Sequence, residues 1–146
     1  MKTKKELALK ELTEIENRQK ELRRIIEEKN IMDRVKTFED ALFIKGLTYD
    51  EFYIDFINKN DTKDEIAYKK LKLITSVLNE EWTPNWSDSN ENKYFPYFSV
   101  GSGFGFSATT YAYSLSAFGS RLCFKSRELS NYAGRQFEAI YKEYLM

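Results

Sequence analysis

The feature that most constrains this chain is where its rings and turn-formers lie. Both tryptophans, both prolines, the one cysteine and every glycine except Gly46 fall between Trp82 and Gly134. Three segments carry most of them: Trp82-Thr83-Pro84-Asn85-Trp86, Lys93-Tyr94-Phe95-Pro96-Tyr97-Phe98 and Gly119-Ser120-Arg121-Leu122-Cys123-Phe124-Lys125. Large rigid rings bury the most apolar area per residue. The core is therefore expected here, with helices before and after packed around it. A length of 146 residues suits one ordinary domain.

The N-terminal thirty residues read differently. Residues 3–30 lack Gly and Pro and are rich in strong helix formers. Leu12, Ile15, Gln19, Leu22 and Ile26 are spaced alternately three and four apart, which is an a/d seam. Leu9 and Ile25 widen the stripe, and Glu14, Arg18, Lys20, Arg24, Glu27 and Glu28 cover the rest. A helix with so narrow an apolar stripe needs a partner. The candidates are the same helix of a second chain or the domain itself, and a homodimer is the favoured expectation. Residues 1–30 are thus read as a coiled-coil-like helix and residues 31–146 as a single α+β domain.

Three helix starts follow. Thr37 precedes Asp40, Thr48 precedes Glu51 and Thr62 precedes Glu65, each in the spacing of a capping box. Gly46 closes the first helix. The second spans about 49–58, with Phe52, Phe56 and Ile57 on one side. The third spans 63–81, with Ile66, Leu71, Ile74, Val77 and Leu78 inward. Thr83-Pro84 cannot continue it.

Strands are expected at 93–100, with Pro96 forcing an edge or a bulge, at 108–115 and at 121–125. The short connections, Gly101 to Gly105 and Ser116 to Gly119, predict a three-stranded antiparallel meander. Leu122 and Phe124 would share one face of the third strand, and Arg121, Cys123 and Lys125 the other. Ser126 caps a last helix running to about 145, with Leu129, Ala133, Phe137, Ile140 and Tyr144 inward. Gly134 in mid-helix predicts a close approach to the sheet.

Composition excludes several chemistries. There is no histidine, hence neither the commonest general base nor the commonest metal ligand. Asp88, Asn90 and Asn92 alternate like a calcium loop, but Lys93 stands where glycine is required. Gly101, Gly103 and Gly105 do not space as a dinucleotide fingerprint. Cys123 has only Arg121 and Lys125 nearby to activate it, and packing is the expected role. Glu80 and Glu81 read as a solvated helix end. No enzyme activity, cofactor or metal is expected. No apolar run reaches a membrane span and the start is no secretory signal, so a cytoplasmic protein is expected.

Net charge is zero but unevenly spread. Residues 37–92 carry six Lys/Arg against twelve Asp/Glu, and residues 93–146 six against three. An acidic middle beside a basic, aromatic end gives a dipolar surface. On the basic side Arg121, Lys125, Tyr111, Tyr113, Arg127 and Arg135 form the candidate binding face.

The three segments above, with Glu128-Leu129, Tyr132-Ala133-Gly134-Arg135-Gln136-Phe137 and Tyr141-Lys142, resemble a family of small proteins carried by phages and prophages of Bacteroidota. The resemblance covers residues 36–146. Glu81 departs from it where glycine is usual, as does Tyr97 where tryptophan is usual, and the N-terminal helix looks like an addition. The family brings no established activity and therefore no catalytic residue. It implies an accessory protein of a mobile element. Three functions are compatible: inhibition of a host defence complex such as an RNA-guided nuclease or its guide loading, binding of RNA or single-stranded DNA, and a structural role in the phage particle.

Overall fold

Local hydrogen bonds start each early helix. The computed structural model describes residues 1–113 and 121–146. Contacts divide the chain into two units, Met1–Arg34 and Val35–Met146.

In the first unit, α1 spans Lys4–Glu28 and α2 spans Ile31–Arg34. Thr3 and Glu6 close a capping box at the start of α1, with the Thr3 N–H donating to Glu6 Oε2 at 2.7 Å. None of the α1 side chains is buried. Leu12, Ile15, Leu22 and Ile26 are 52%, 50%, 43% and 46% exposed, and Gln19 is exposed among them. Along α1 Lys10 meets Glu14 at 3.9 Å, and Arg24 meets Glu21 at 2.8 Å and Glu28 at 3.5 Å. Exposed pairs of this kind add little stability.

In the second unit, α3 spans Phe38–Lys45, α4 Tyr49–Phe56 and α5 Lys63–Leu78. The capping boxes are in place. Thr37 and Asp40 bond reciprocally at 3.0 and 3.1 Å, and Thr48 and Glu51 at 3.0 and 3.1 Å. The Thr62 N–H donates to Glu65 at 2.8 Å. Gly46 ends α3 at φ +73°, where a side chain would be strained. Phe38 and Phe52 meet edge to face at 4.9 Å, and both are buried. Burying one such ring stabilises by about 1.5–3 kcal/mol. Phe56 remains 49% exposed, stacked on Phe52 at 5.6 Å. On α5 the buried apolar set is Ala67, Leu71, Ile74, Val77 and Leu78, while Ile66 is half-buried. The core therefore draws on α3–α5 as much as on the aromatic stretch.

Among the described residues the sheet has two strands. β1 spans Lys93–Ser99 and β2 spans Gly105–Ala112, antiparallel, with a bulge between Tyr97 and Phe98. The expected third strand at 121–125 does not form. Among the described residues only Phe124 pairs there, exchanging backbone hydrogen bonds with Tyr94 at 3.0 and 2.8 Å. The next pair of such a ladder would set Leu122 against Pro96, which has no N–H to give. Nor do the side chains alternate: Leu122, Cys123 and Phe124 are all buried. The expected turn at 116–119 and the end of the second strand at 114–115 lie outside the described residues.

The last helix is broken in two, α6 over Arg127–Gln136 and α7 over Glu138–Leu145, because Phe137 leaves helical geometry at φ −110°, ψ 25°. Ser126 caps α6, its Oγ accepting from the Leu129 N–H at 3.2 Å. Leu129, Ala133 and Phe137 are buried as expected, but the break re-aims the chain. Beyond it Tyr141 is buried, against Phe98 at 4.7 Å, while Ile140 and Tyr144 are only half-buried. α5 packs against α7 and α3, and α6 lies across β1 and β2. The Thr109 hydroxyl bonds Asn131 Oδ1 at 2.6 Å and Ser130 Oγ at 2.9 Å, tying that face of the sheet to α6.

Gly134 is where α6 meets the sheet. A Cβ there would stand 2.9 Å from the Pro96 Cβ and closer still to the ring of Phe106. Gly134→Ala gains about 1 kcal/mol of helix propensity but overpacks by about 1–3 kcal/mol. Pro96 is pinned in β1 and cannot retreat, so the clash should win. Urea unfolding is expected to show a loss of about 1–2 kcal/mol; an unchanged or raised midpoint would mean that the ring yields freely.

Candidate functional site

The sheet offers two unlike faces. Alternation along β1 and β2 sends Tyr94 and Tyr111, which are cross-strand partners, to one side. It sends Lys93, Phe95 and Ala112 to the other, where Phe95 and Ala112 cluster with Cys123 under Trp82 and Trp86.

The expected binding face is assembled only in part. Tyr94 and Tyr111 stand 6.3 Å apart, and Tyr111 and Tyr113 5.5 Å apart. Tyr111 and Tyr113 are 47% and 43% exposed. The neighbouring Tyr111 phenol holds the Tyr113 hydroxyl above its ordinary pKa. Arg127, at the start of α6, places its guanidinium 5.4 Å from the Tyr94 ring centre and donates to the Thr109 carbonyl at 3.0 Å. Three tyrosines and one arginine thus form a continuous patch. Tyr94 completes it, and sequence reasoning had placed it only in a strand. Its pairing opposite Tyr111 was the missing information.

The other three residues stand apart. Arg135 covers Phe106 at 5.0 Å, five residues along β2 from Tyr111, or roughly 17 Å. Lys125 lies 3.8 Å from Glu80. Arg121 joins the tryptophan side instead.

That side holds a cleft of about 560 Å³ between the end of α5, the Trp82–Trp86 loop and residues 121–123. Trp82, Pro84 and Trp86 form its apolar wall. Lys45, Lys72 and Arg121 reach it from three separate segments, opposed by Glu81. Thr75 also lines it, and the Thr75 hydroxyl is buried with no hydrogen-bond partner among the described residues. Cys123 lines it too, but is 1% exposed, and burial pushes its thiol up to about 11. A thiol so raised is not a nucleophile at neutral pH. Among the described residues no group of three or more acidic, cysteine or histidine side chains is placed to hold a metal ion.

Two buried polar residues build this cleft. Lys93 has no exposed surface; its ammonium donates to the Asp88 carbonyl at 2.9 Å, lies 3.5 Å from Glu91 and sits 5.3 Å from the Trp86 ring centre. Asn79, just past α5, donates to the Cys123 carbonyl at 2.8 Å and accepts from the Lys125 N–H at 3.0 Å. Between them the chain turns through Glu80 and Glu81 at φ +51° and +68°, a region that favours glycine. Their N–H groups close onto the Val77 and Ser76 carbonyls at 3.0 and 3.2 Å. The sequence signal for the site was a polar residue on an apolar helix face: Thr75 adjoins Ile74 and follows Leu71 by one turn.

Among the described residues no helix is long and apolar enough to cross a membrane. No protein-family model, no curated protein and no solved structure matches this chain.

Proposed function

We propose that this protein acts by binding rather than catalysis, as a homodimer joined through α1, and that its target is a host defence complex of the RNA-guided nuclease kind. The observation that carries the reading is the surface of α3 and α4. Phe43 and Ile54 are 82% and 79% exposed, on helices that also expose Glu39, Asp50, Glu51 and Asp55. Apolar side chains standing in solvent among carboxylates suit a basic protein surface with apolar pockets. The nucleic-acid channel of an RNA-guided nuclease is positively charged. The resemblance to phage and prophage proteins points the same way. The exposed a/d seam of α1 supports the dimer.

Purified full-length protein is expected to run at twice its 17.3 kDa chain mass in light scattering. Leu22→Asp should reduce it to a monomer. Added to the host's nuclease before the guide RNA, it should lower the DNA cleavage rate at least about tenfold, and Phe43→Asp with Ile54→Asp should restore most of that rate. Full-rate cleavage at excess protein, whether added before or after the guide, removes this function.

A second reading rests on the tyrosine patch. Tyr94, Tyr111 and Tyr113 with Arg127 supply stacking rings beside a cation, as single-stranded RNA or DNA requires. Such binding weakens steeply with salt, so failure to retain an oligonucleotide at low salt would reject it.

A further inference from the structure

The tryptophan cleft is not used by either reading above, and three independent features of it point to a ligand. The first is charge. Lys45, Lys72 and Arg121, all exposed, line it from the end of α3, from the middle of α5 and from the segment before Cys123, the Lys72 ammonium lying 5.9 Å from the Tyr68 ring centre. Among the described residues none of the three has a carboxylate within ion-pair distance, although Glu81 shares the cleft. Three cations against one carboxylate leave the cleft with an excess of positive charge, which an anion would balance.

The second feature is the wall. Trp82 and Trp86 are half-buried on Phe95, Ala112 and Cys123. Lys93 holds one ring from within, its ammonium 5.3 Å from the Trp86 centre. An indole so fixed offers a flat apolar surface for another aromatic ring at little further loss of side-chain entropy.

The third is the unpartnered hydroxyl of Thr75, a residue only 2% exposed. A buried hydroxyl without a partner costs roughly 1–3 kcal/mol. An acceptor or donor entering the cleft recovers part of that. The left-handed pair Glu80 and Glu81 adds to the pattern, since such strain persists where surrounding structure holds it and collects at binding sites.

We propose that this cleft is a binding site for a mononucleotide-sized aromatic anion. The base would lie against Trp82 and Trp86, and the phosphate among Lys45, Lys72 and Arg121. A cleft of about 560 Å³ is of the size small ligands occupy. Apolar walls with a few convergent polar groups are the usual composition of such sites. The excess of positive charge disfavours a cationic ligand, and the two indoles favour an aromatic anion over phosphate alone. The site depends neither on the dimer nor on its target.

The test uses the protein's own fluorescence, because its two tryptophans are the two in the cleft. AMP, GMP, CMP and UMP are titrated into full-length protein, with excitation where the bases do not absorb. At least one is expected to change the emission saturably, with a dissociation constant on the order of 10–1000 µM. Adenosine and inorganic phosphate should each bind at least about tenfold more weakly than AMP, since each has half of the recognition chemistry. Arg121→Ala and Lys72→Ala should each weaken binding about tenfold, and Thr75→Val several-fold. Lys125→Ala, which removes a cation outside the cleft, should leave binding unchanged. Circular dichroism checks that each variant is folded. Three results would overturn the proposal: no saturable change with any of the four nucleotides up to about 10 mM, equal affinity for nucleoside and nucleotide, or full affinity in a folded variant lacking both Arg121 and Lys72 side chains.

Discussion

Asn79→Leu should lower the stability of the domain by about 2–4 kcal/mol. The Asn79 side chain is 3% exposed and bonds to residues 44 and 46 positions away. Its amide does for residues 123 and 125 what a neighbouring strand does elsewhere: it accepts from one backbone N–H and donates to the next carbonyl. Leucine matches its volume and removes both bonds. The buried Cys123 carbonyl then loses the Asn79 donor, at about 1–3 kcal/mol. The Lys125 N–H is nearer solvent and suffers less. Against a typical domain stability of about 5–15 kcal/mol this is a large fraction. Thermal denaturation is expected to fall by roughly 10 °C. Asn79→Asp keeps an acceptor for Lys125 but turns a second oxygen on the Cys123 carbonyl, so it should be at least as damaging. A leucine variant with the parent's melting temperature would mean that the Tyr94–Phe124 bridge holds this segment without help.

Lys93→Met should cost about 2–3 kcal/mol and loosen the loop at 85–92. Methionine fits the space of the lysine stem but carries no charge. It takes from the Asp88 carbonyl its shorter bond, at 2.9 Å, leaving the Glu91 N–H at 3.4 Å, and removes the cation from the Trp86 face. Removing one partner from a fully buried pair costs about 3–5 kcal/mol; Glu91 here is 26% exposed and keeps the Asn85 N–H at 2.7 Å, so the lower figure applies. The freed Trp86 should also shift its fluorescence to the red. Glu91→Gln alone should do less, and the double variant should lose less than the two single losses added. Strict additivity would show that Lys93 and Glu91 do not act as a pair. Unaltered emission in Lys93→Met would show that Trp86 is held by packing alone.

These two residues mark the limit of what could be read from spacing. Thr37, Thr48 and Thr62 announce their helices because the acid each one bonds is three residues away. Gly46 and Gly134 stand out for related reasons: one needs a left-handed backbone, and the other interrupts a helix without a local cause. The third strand was expected from its alternation. It fails because Pro96, in a different strand, has no N–H to give the Leu122 carbonyl; on the opposite edge the Asn79 amide holds the Cys123 carbonyl and the Lys125 N–H. The helix expected to 145 divides at Phe137, and the residue buried beyond the break becomes Tyr141. Of the six residues expected to form one face, Tyr111, Tyr113 and Arg127 meet. Arg121 and Lys125 do not join them, since the chain at 121–125 is set by the single bridge at Phe124 and by the Asn79 amide.

By itself the amino-acid order determined the helix starts, the seam along α1, the edge character of the strand bearing Pro96 and the tight contact at Gly134. Each is a matter of residues within about one or two turns of each other, or of one residue's own backbone freedom. Only the tertiary structure decided that Lys93 would be buried against Trp86, that three cations from distant segments would share one cleft with two indoles, and that Tyr94 rather than Lys125 would complete the aromatic patch. Those outcomes depend on which backbone donors and acceptors pair across 40 or more residues, as the Asn79–Cys123 bond does over 44. Spacing along the chain carries no record of such pairs.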